Sequence, residues 1–159
     1  MSDLNVQNAQ EAANDAKIEA KESKYEVRAA EKRLKEATEN YKNLKAQVKQ
    51  VKKDLKQAKL VLKADEANAD AVAKSDTSDK KIDTQEAKRK AKASKKSMKD
   101  IKKLLSDTKK AKSAAKEKIY SAKKKLKDLS KQKKADDAAY KAAKTAYKAA
   151  KKAADAADE

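Results

Sequence analysis

"KSDTSDKKIDTQE", residues 74–86, is the only place in the middle of the chain where Ser, Thr and Asp cluster. Such side chains cap helix N-termini by accepting hydrogen bonds from backbone N–H groups that the first turn leaves without partners. Asp83 with Glu86 three residues later has the spacing of a capping box, and Ser2 or Asp3 can cap an earlier helix in the same way. The stretch therefore reads as the end of one helix, a turn, and the start of another.

On its N-terminal side, small or apolar residues recur at alternating steps of three and four. The series starts at Val6 and Ala9, passes Leu34, Tyr41, Val48 and Leu55, and ends through Leu62, Asp65, Ala69 and Val72. With Val6 as heptad position a, this is a 3.5-residue repeat sustained for about nine heptads, which is coiled-coil spacing. On the C-terminal side a second series runs from Ala87 through Met98, Ile101, Leu105, Ile119, Leu126 and Tyr140 to Ala157, shifted in phase by one residue. A turn centred near Ser78 lets the two seams face each other antiparallel when paired residue numbers sum to about 156. The pairs then include Ala16–Tyr140, Ala30–Leu126, Tyr41–Ala115, Leu55–Ile101 and Ala58–Met98, so large residues mostly meet small ones and a constant helix separation is filled.

The expected fold is all-α: a long antiparallel two-helix coiled-coil hairpin. It forms a single elongated unit over residues 1–159, with helices at about 4–73 and 84–157 and a turn at about 74–83. Each helix would be roughly 100 Å long at about 1.5 Å per residue. Lys112, Lys133, Asp136 and Asp65 interrupt the seams. Either their long side chains snorkel out of a narrow core, or they fix register as polar a and d residues do. Leu60, Val61 and Leu104 lie off the seam in the turn-proximal half. They read either as staples for the hairpin or as a patch for a second copy, a homodimer that would form a four-helix bundle.

Composition agrees with this architecture. The chain has no Gly, Pro, Cys, His, Trp or Phe, so it has few residues suited to turns and many, Ala and Lys above all, that favour helix. Charged residues make up 44 % and apolar ones 38 %, many of them Ala, which is too little to bury a globular core. The absence of cysteine excludes disulfide and thiolate chemistry. The first residues have neither the basic start nor the apolar core of a signal peptide, and no apolar run approaches the roughly 18 residues of a membrane span. The expectation is a soluble cytoplasmic protein with no membrane partner.

Net charge is +18, and it is unevenly placed: residues 1–78 sum to +2 and residues 79–159 to +16. In the second helix position e reads Lys88, Lys95, Lys102, Lys109, Lys116 and Lys123 without exception. Position f adds Arg89, Lys96, Lys103, Lys110 and Lys124, while the acids Asp100, Asp107 and Asp128 all fall at c. In the first helix Lys45, Lys52 and Lys59, also at e, come beside Lys109, Lys102 and Lys95 in the paired register. A seam tuned for stability alone would set opposite charges there, as Glu31 beside Lys123 and Glu66 beside Lys88 do. Like-charge neighbours on a helix cost a few tenths of a kcal/mol. A one-signed stripe on both helices at one height points to an acidic partner.

The stripe is almost all lysine, a mobile point charge suited to phosphates rather than to base edges. Stacking on single strands needs exposed aromatics, yet Tyr41, Tyr140 and Tyr147 lie on the seam and only Tyr25 and Tyr120 are left. These residues favour duplex nucleic acid bound without sequence preference, with RNA, polyphosphate or an acidic protein as alternatives. Residues 121–157, "SAKKKLKDLSKQKKADDAAYKAAKTAYKAAKKAADAA", resemble the lysine- and alanine-rich bacterial histone H1-like nucleoid proteins. That resemblance is compositional and implies nucleoid association; the lack of proline departs from it and favours a rigid helix over a disordered tail. The other function class is structural: a self-assembling scaffold or stress protectant whose charge only gives solubility.

No enzyme is expected. Without His or Cys there is no ordinary metal site and no triad. There is no P-loop, dinucleotide fingerprint or nucleophile elbow, hence no cofactor and no small-molecule substrate. The acids Asp65, Glu66 and Asp70, and Asp76, Asp79 and Asp83, lack the turn glycine of a calcium loop.

Overall fold

A computed structural model describes residues 2–75 and 80–156. All of these but Ser75 and Ala156 are helical, in α1 (Ser2–Lys74) and α2 (Lys80–Asp155). No described residue has a positive φ. The end of α1 is closed without glycine: the Ser75 N–H and hydroxyl both donate to the Val72 carbonyl, at 3.2 and 2.8 Å, occupying an acceptor the helix itself leaves open.

α2 starts earlier than its capping pattern suggests. Residues 80–83, expected in the turn, belong to the helix, and Asp83 lies inside the first turn instead of capping it. The capping-box reading of Asp83 and Glu86 therefore fails. An acid in a first turn is still favoured by the positive end of the helix dipole, which is also where Asp3 sits in α1. The centre of the expected turn at Ser78, with Asp76 and Asp79, lies outside the described residues, as does Ala157 at the end of the second series.

The helices pack against each other antiparallel, and the chain forms two compact units: Met1–Ala37 with Lys118–Glu159, and Thr38–Glu117. Every seam position from Val6 to Val72 and from Ala87 to Ala154 is buried or half-buried. Elsewhere in the described helices only Thr38, Thr84, Ser130 and Asp137 are shielded from solvent. The heptad phase is thus the burial pattern. Because the seam is largely Ala, the core is thin. Ala115, Ser23 and Ala30 are its most buried residues, at 4, 4 and 6 % exposure, and no side chain is fully enclosed.

Hydroxyls fit this seam because the helix satisfies them locally. Ser23 donates to the Ala20 carbonyl at 3.3 Å and Thr108 to the Leu104 carbonyl at 2.7 Å. Such back-bonding removes the penalty of burying a hydroxyl without needing a partner across the core.

The four polar interruptions behave differently from one another. Lys133 reaches along its own helix to Asp137 at 3.5 Å, and Asp136 accepts from the Gln132 amide at 2.9 Å. Lys112 lies over the Tyr41 ring with Nζ 5.9 Å from its centroid, a cation–π contact across the pair. Asp65 does not snorkel at all. It is 8 % exposed, accepts a 2.5 Å hydrogen bond from the Ser94 hydroxyl and has Lys90 Nζ at 3.9 Å. Tyr41 with Lys112, and Asp65 with Ser94 and Lys90, tie α1 to α2 in the register expected from the sequence.

Candidate polyanion interface

The paired register gives Thr38–Glu117 two unlike edges. Next to each a residue lies position e and beyond it b; next to each d residue lies g and beyond it c. This follows from 3.6 residues per turn. On the e side the unit carries Lys45, Lys52 and Lys59 from α1 and Lys88, Lys95, Lys102, Lys109 and Lys116 from α2, against one acid, Glu66. On the g side it carries one lysine, Lys90, and two aspartates, Asp54 and Asp83, among Gln47, Val61, Asn68, Ser97, Leu104 and Ala111. Helical periodicity alone sorts the charge.

All fourteen expected site residues are exposed. Twelve belong to Thr38–Glu117: the eight e-position lysines just named, with Arg89, Lys96, Lys103 and Lys110 at f. Lys123 and Lys124 belong to the other unit. The unit Thr38–Glu117 holds 24 Lys and Arg against 12 Asp and Glu, so it carries +12 of the net +18.

Among the described residues the expected site cations are left without neutralising partners. Among the described residues the ion pairs within 4.0 Å are Lys90–Asp65 and Lys133–Asp137, and neither contains an expected site residue. Glu31–Lys123 and Glu66–Lys88, neighbours in the register, do not close into ion pairs. Asp54, the single acid among the lysines of residues 42–63, accepts a hydrogen bond from the Gln50 amide at 2.8 Å. Long exposed side chains gain little from surface pairing and lose rotamer freedom in it, so a lysine column stays solvated and its field projects outward.

Two lysines that position b adds to the basic face, Lys92 and Lys99, are not among the expected site residues yet adjoin them. Arg89, Lys92, Lys95, Lys96 and Lys99 surround Ala93 in an open groove of about 740 Å³ on one face of α2. Lys92 and Lys99 occupy position b, beside the e column, and the heptad phase is signal enough to include them. The groove sets five cations around a small side chain and suits a multiply charged anion, not an enclosed small molecule.

Tyr25 and Tyr120 are 67 and 74 % exposed, while the three seam tyrosines are half-buried. No described helix is long and apolar enough to cross a membrane. Among the described residues no three acids are placed to hold a metal ion. Compared with known proteins, the chain matches no family model and has no significant match among curated proteins or solved structures.

Proposed function

We propose that the protein binds polyanions without enzymatic chemistry, and that its main partner is duplex nucleic acid held without sequence preference by the cationic edge of Thr38–Glu117. The observation that supports this is the set of twelve exposed cations of that unit, none within ion-pair distance of an acid among the described residues. The compositional resemblance of residues 121–157 to histone H1-like nucleoid proteins points the same way and would place the protein at a bacterial nucleoid in the cytoplasm.

Lysines at e repeat every seven residues, about 10 Å along the helix. Duplex phosphates wind away from any straight row, so the lysines adapt to them and read no base information. Each neutralised phosphate releases counterions, and affinity falls with salt at a log–log slope of about −0.9 per phosphate. The test is a titration of random and defined duplexes of equal length over a salt series. The two should bind alike. Replacing Lys95, Lys102 and Lys109 by Gln should flatten the slope by up to about three, close to one for each phosphate no longer neutralised, with helicity unchanged. Absence of binding at low salt, or a triple variant that binds like the parent, would leave the stripe as a solvated face and favour the scaffold or protectant reading.

A further inference from the structure

The g side of Thr38–Glu117 is built unlike the e side in a second respect: there the seam is open. A groove of about 290 Å³ is lined by Ala58, Val61, Ser94, Ser97 and Ile101, with Asp54 and Gln57 at its border. A second, of about 410 Å³, shares Ser97 and Ile101, continues to Leu104 and is bordered by Lys96 and Asp100. Ala58, Ser94 and Ile101 are seam residues, so solvent reaches the core from this edge. The groove on the cationic face is lined by no seam residue. Beside the open seam Val61 and Leu104 are 43 and 53 % exposed.

We infer that this edge is where a second copy of the chain docks, two-fold and face to face, to make a four-helix unit. Charge decides the occupant and the face. A copy approaching the e edge meets a lysine column with its own like charges. The g edge has one lysine, Lys90, already turned to Asp65 at 3.9 Å. The c columns that flank it hold no lysine in this unit: their polar members are Asn43, Gln50 and Gln57 in α1 and Glu86, Asp100 and Asp107 in α2. A two-fold axis parallel to the helices lays α1 of one copy over α2 of the other, so that Gln50 and Gln57 face Asp107 and Asp100, amide N–H donors against carboxylate acceptors. Val61, Leu104 and Ile101 of both copies then close the seam that a single pair of helices leaves wet. The lysine edges point outward on opposite sides, so if the polyanion reading holds, one dimer grips two duplex segments and bridges them.

The test uses the absence of cysteine. Val61→Cys with Ser97→Cys and, on the cationic edge, Lys52→Cys with Lys102→Cys are oxidised separately in the full chain. The first pair should give mostly a disulfide-linked dimer at twice 17.5 kDa, and the second mostly monomer. Equal yields, or the reverse, would overturn the interface. So would sedimentation of the parent at 17.5 kDa at every concentration, or growth beyond a dimer. Val61→Lys with Leu104→Lys should sediment as a helical monomer that binds one labelled duplex as the parent does. Its capture of a second duplex on a bead-tethered first should fall at least about tenfold. A dimer that binds no duplex leaves the interface standing and fails the polyanion reading instead.

Discussion

Asp65 shows how one residue can specify what a periodic seam leaves open. An alanine-rich heptad pattern fits itself nearly as well one heptad along, because small residues offer few features to distinguish registers. A carboxylate at position d removes that freedom. It is buried, and it reaches a hydroxyl donor at Ser94 and an ammonium at Lys90 in one alignment only. Ser94→Ala leaves a buried acceptor short of its donor and should cost about 1–3 kcal/mol, read from urea unfolding by circular dichroism. Asp65→Leu should act in the opposite direction on stability, since an apolar residue of similar volume avoids the desolvation of a buried charge, while loosening register. With cysteines introduced at residues 58 and 98, oxidation should close that pair in the parent. In the Asp65→Leu background the slipped pairs 58 with 91 and 58 with 105 should close as well. A variant that is more stable and still closes only the first pair would show that Asp65 does not set the register.

At the scale of the helices, most of the fold is legible in the sequence because burial in a two-helix core has one variable, the heptad phase. Val6, Leu34, Val72, Met98 and Tyr147 fall on the seam by spacing alone, and all are shielded. What spacing does not encode is how a polar seam residue satisfies itself. Lys133 runs along its own helix, Lys112 lies on an aromatic ring and Asp65 is buried, three outcomes for one kind of sequence interruption. Capping spacing misplaces the start of α2 because Ser, Thr and Asp are abundant across residues 75–84 and several of them fit it. Glu31 beside Lys123 and Glu66 beside Lys88 form no ion pair within 4.0 Å, because register brings charges alongside but does not hold exposed side chains together. The lysine edge itself opposes helix pairing, and that opposition is measurable. Lys52→Glu sets an acid beside the Lys95 and Lys102 column and should stabilise the fold by about 0.2–0.5 kcal/mol, the size of a helix-surface ion pair. It should weaken duplex binding in the same protein. A substitution that neither improved stability nor lowered affinity would mean that the column is too solvated to act in either way.

At the scale of the molecule, the two compact units differ in charge more than in architecture. Thr38–Glu117 carries +12 and the other unit +6, although both are helical pairs with similar alanine-rich seams. Segments 1–37 and 118–159 hold 14 acids against 20 bases, and the acids of α1 there dilute the lysines of α2. A polyanion responds to the summed potential rather than to lysine count, so the more basic unit should be occupied first. Lysine acetylation followed by mass spectrometry reads this directly on the intact chain. With a short duplex at substoichiometric ratio, Lys95, Lys96, Lys102, Lys103 and Lys109 should be protected. Lys141, Lys144 and Lys148, exposed in the other unit, should react as they do in the free protein. Raising salt above about 0.2 M should erase the protection, since binding through several phosphates weakens by about three to five decades between 50 and 200 mM. Protection spread evenly over both groups of lysines would show that net charge alone, and not the sorted edge of Thr38–Glu117, directs the binding.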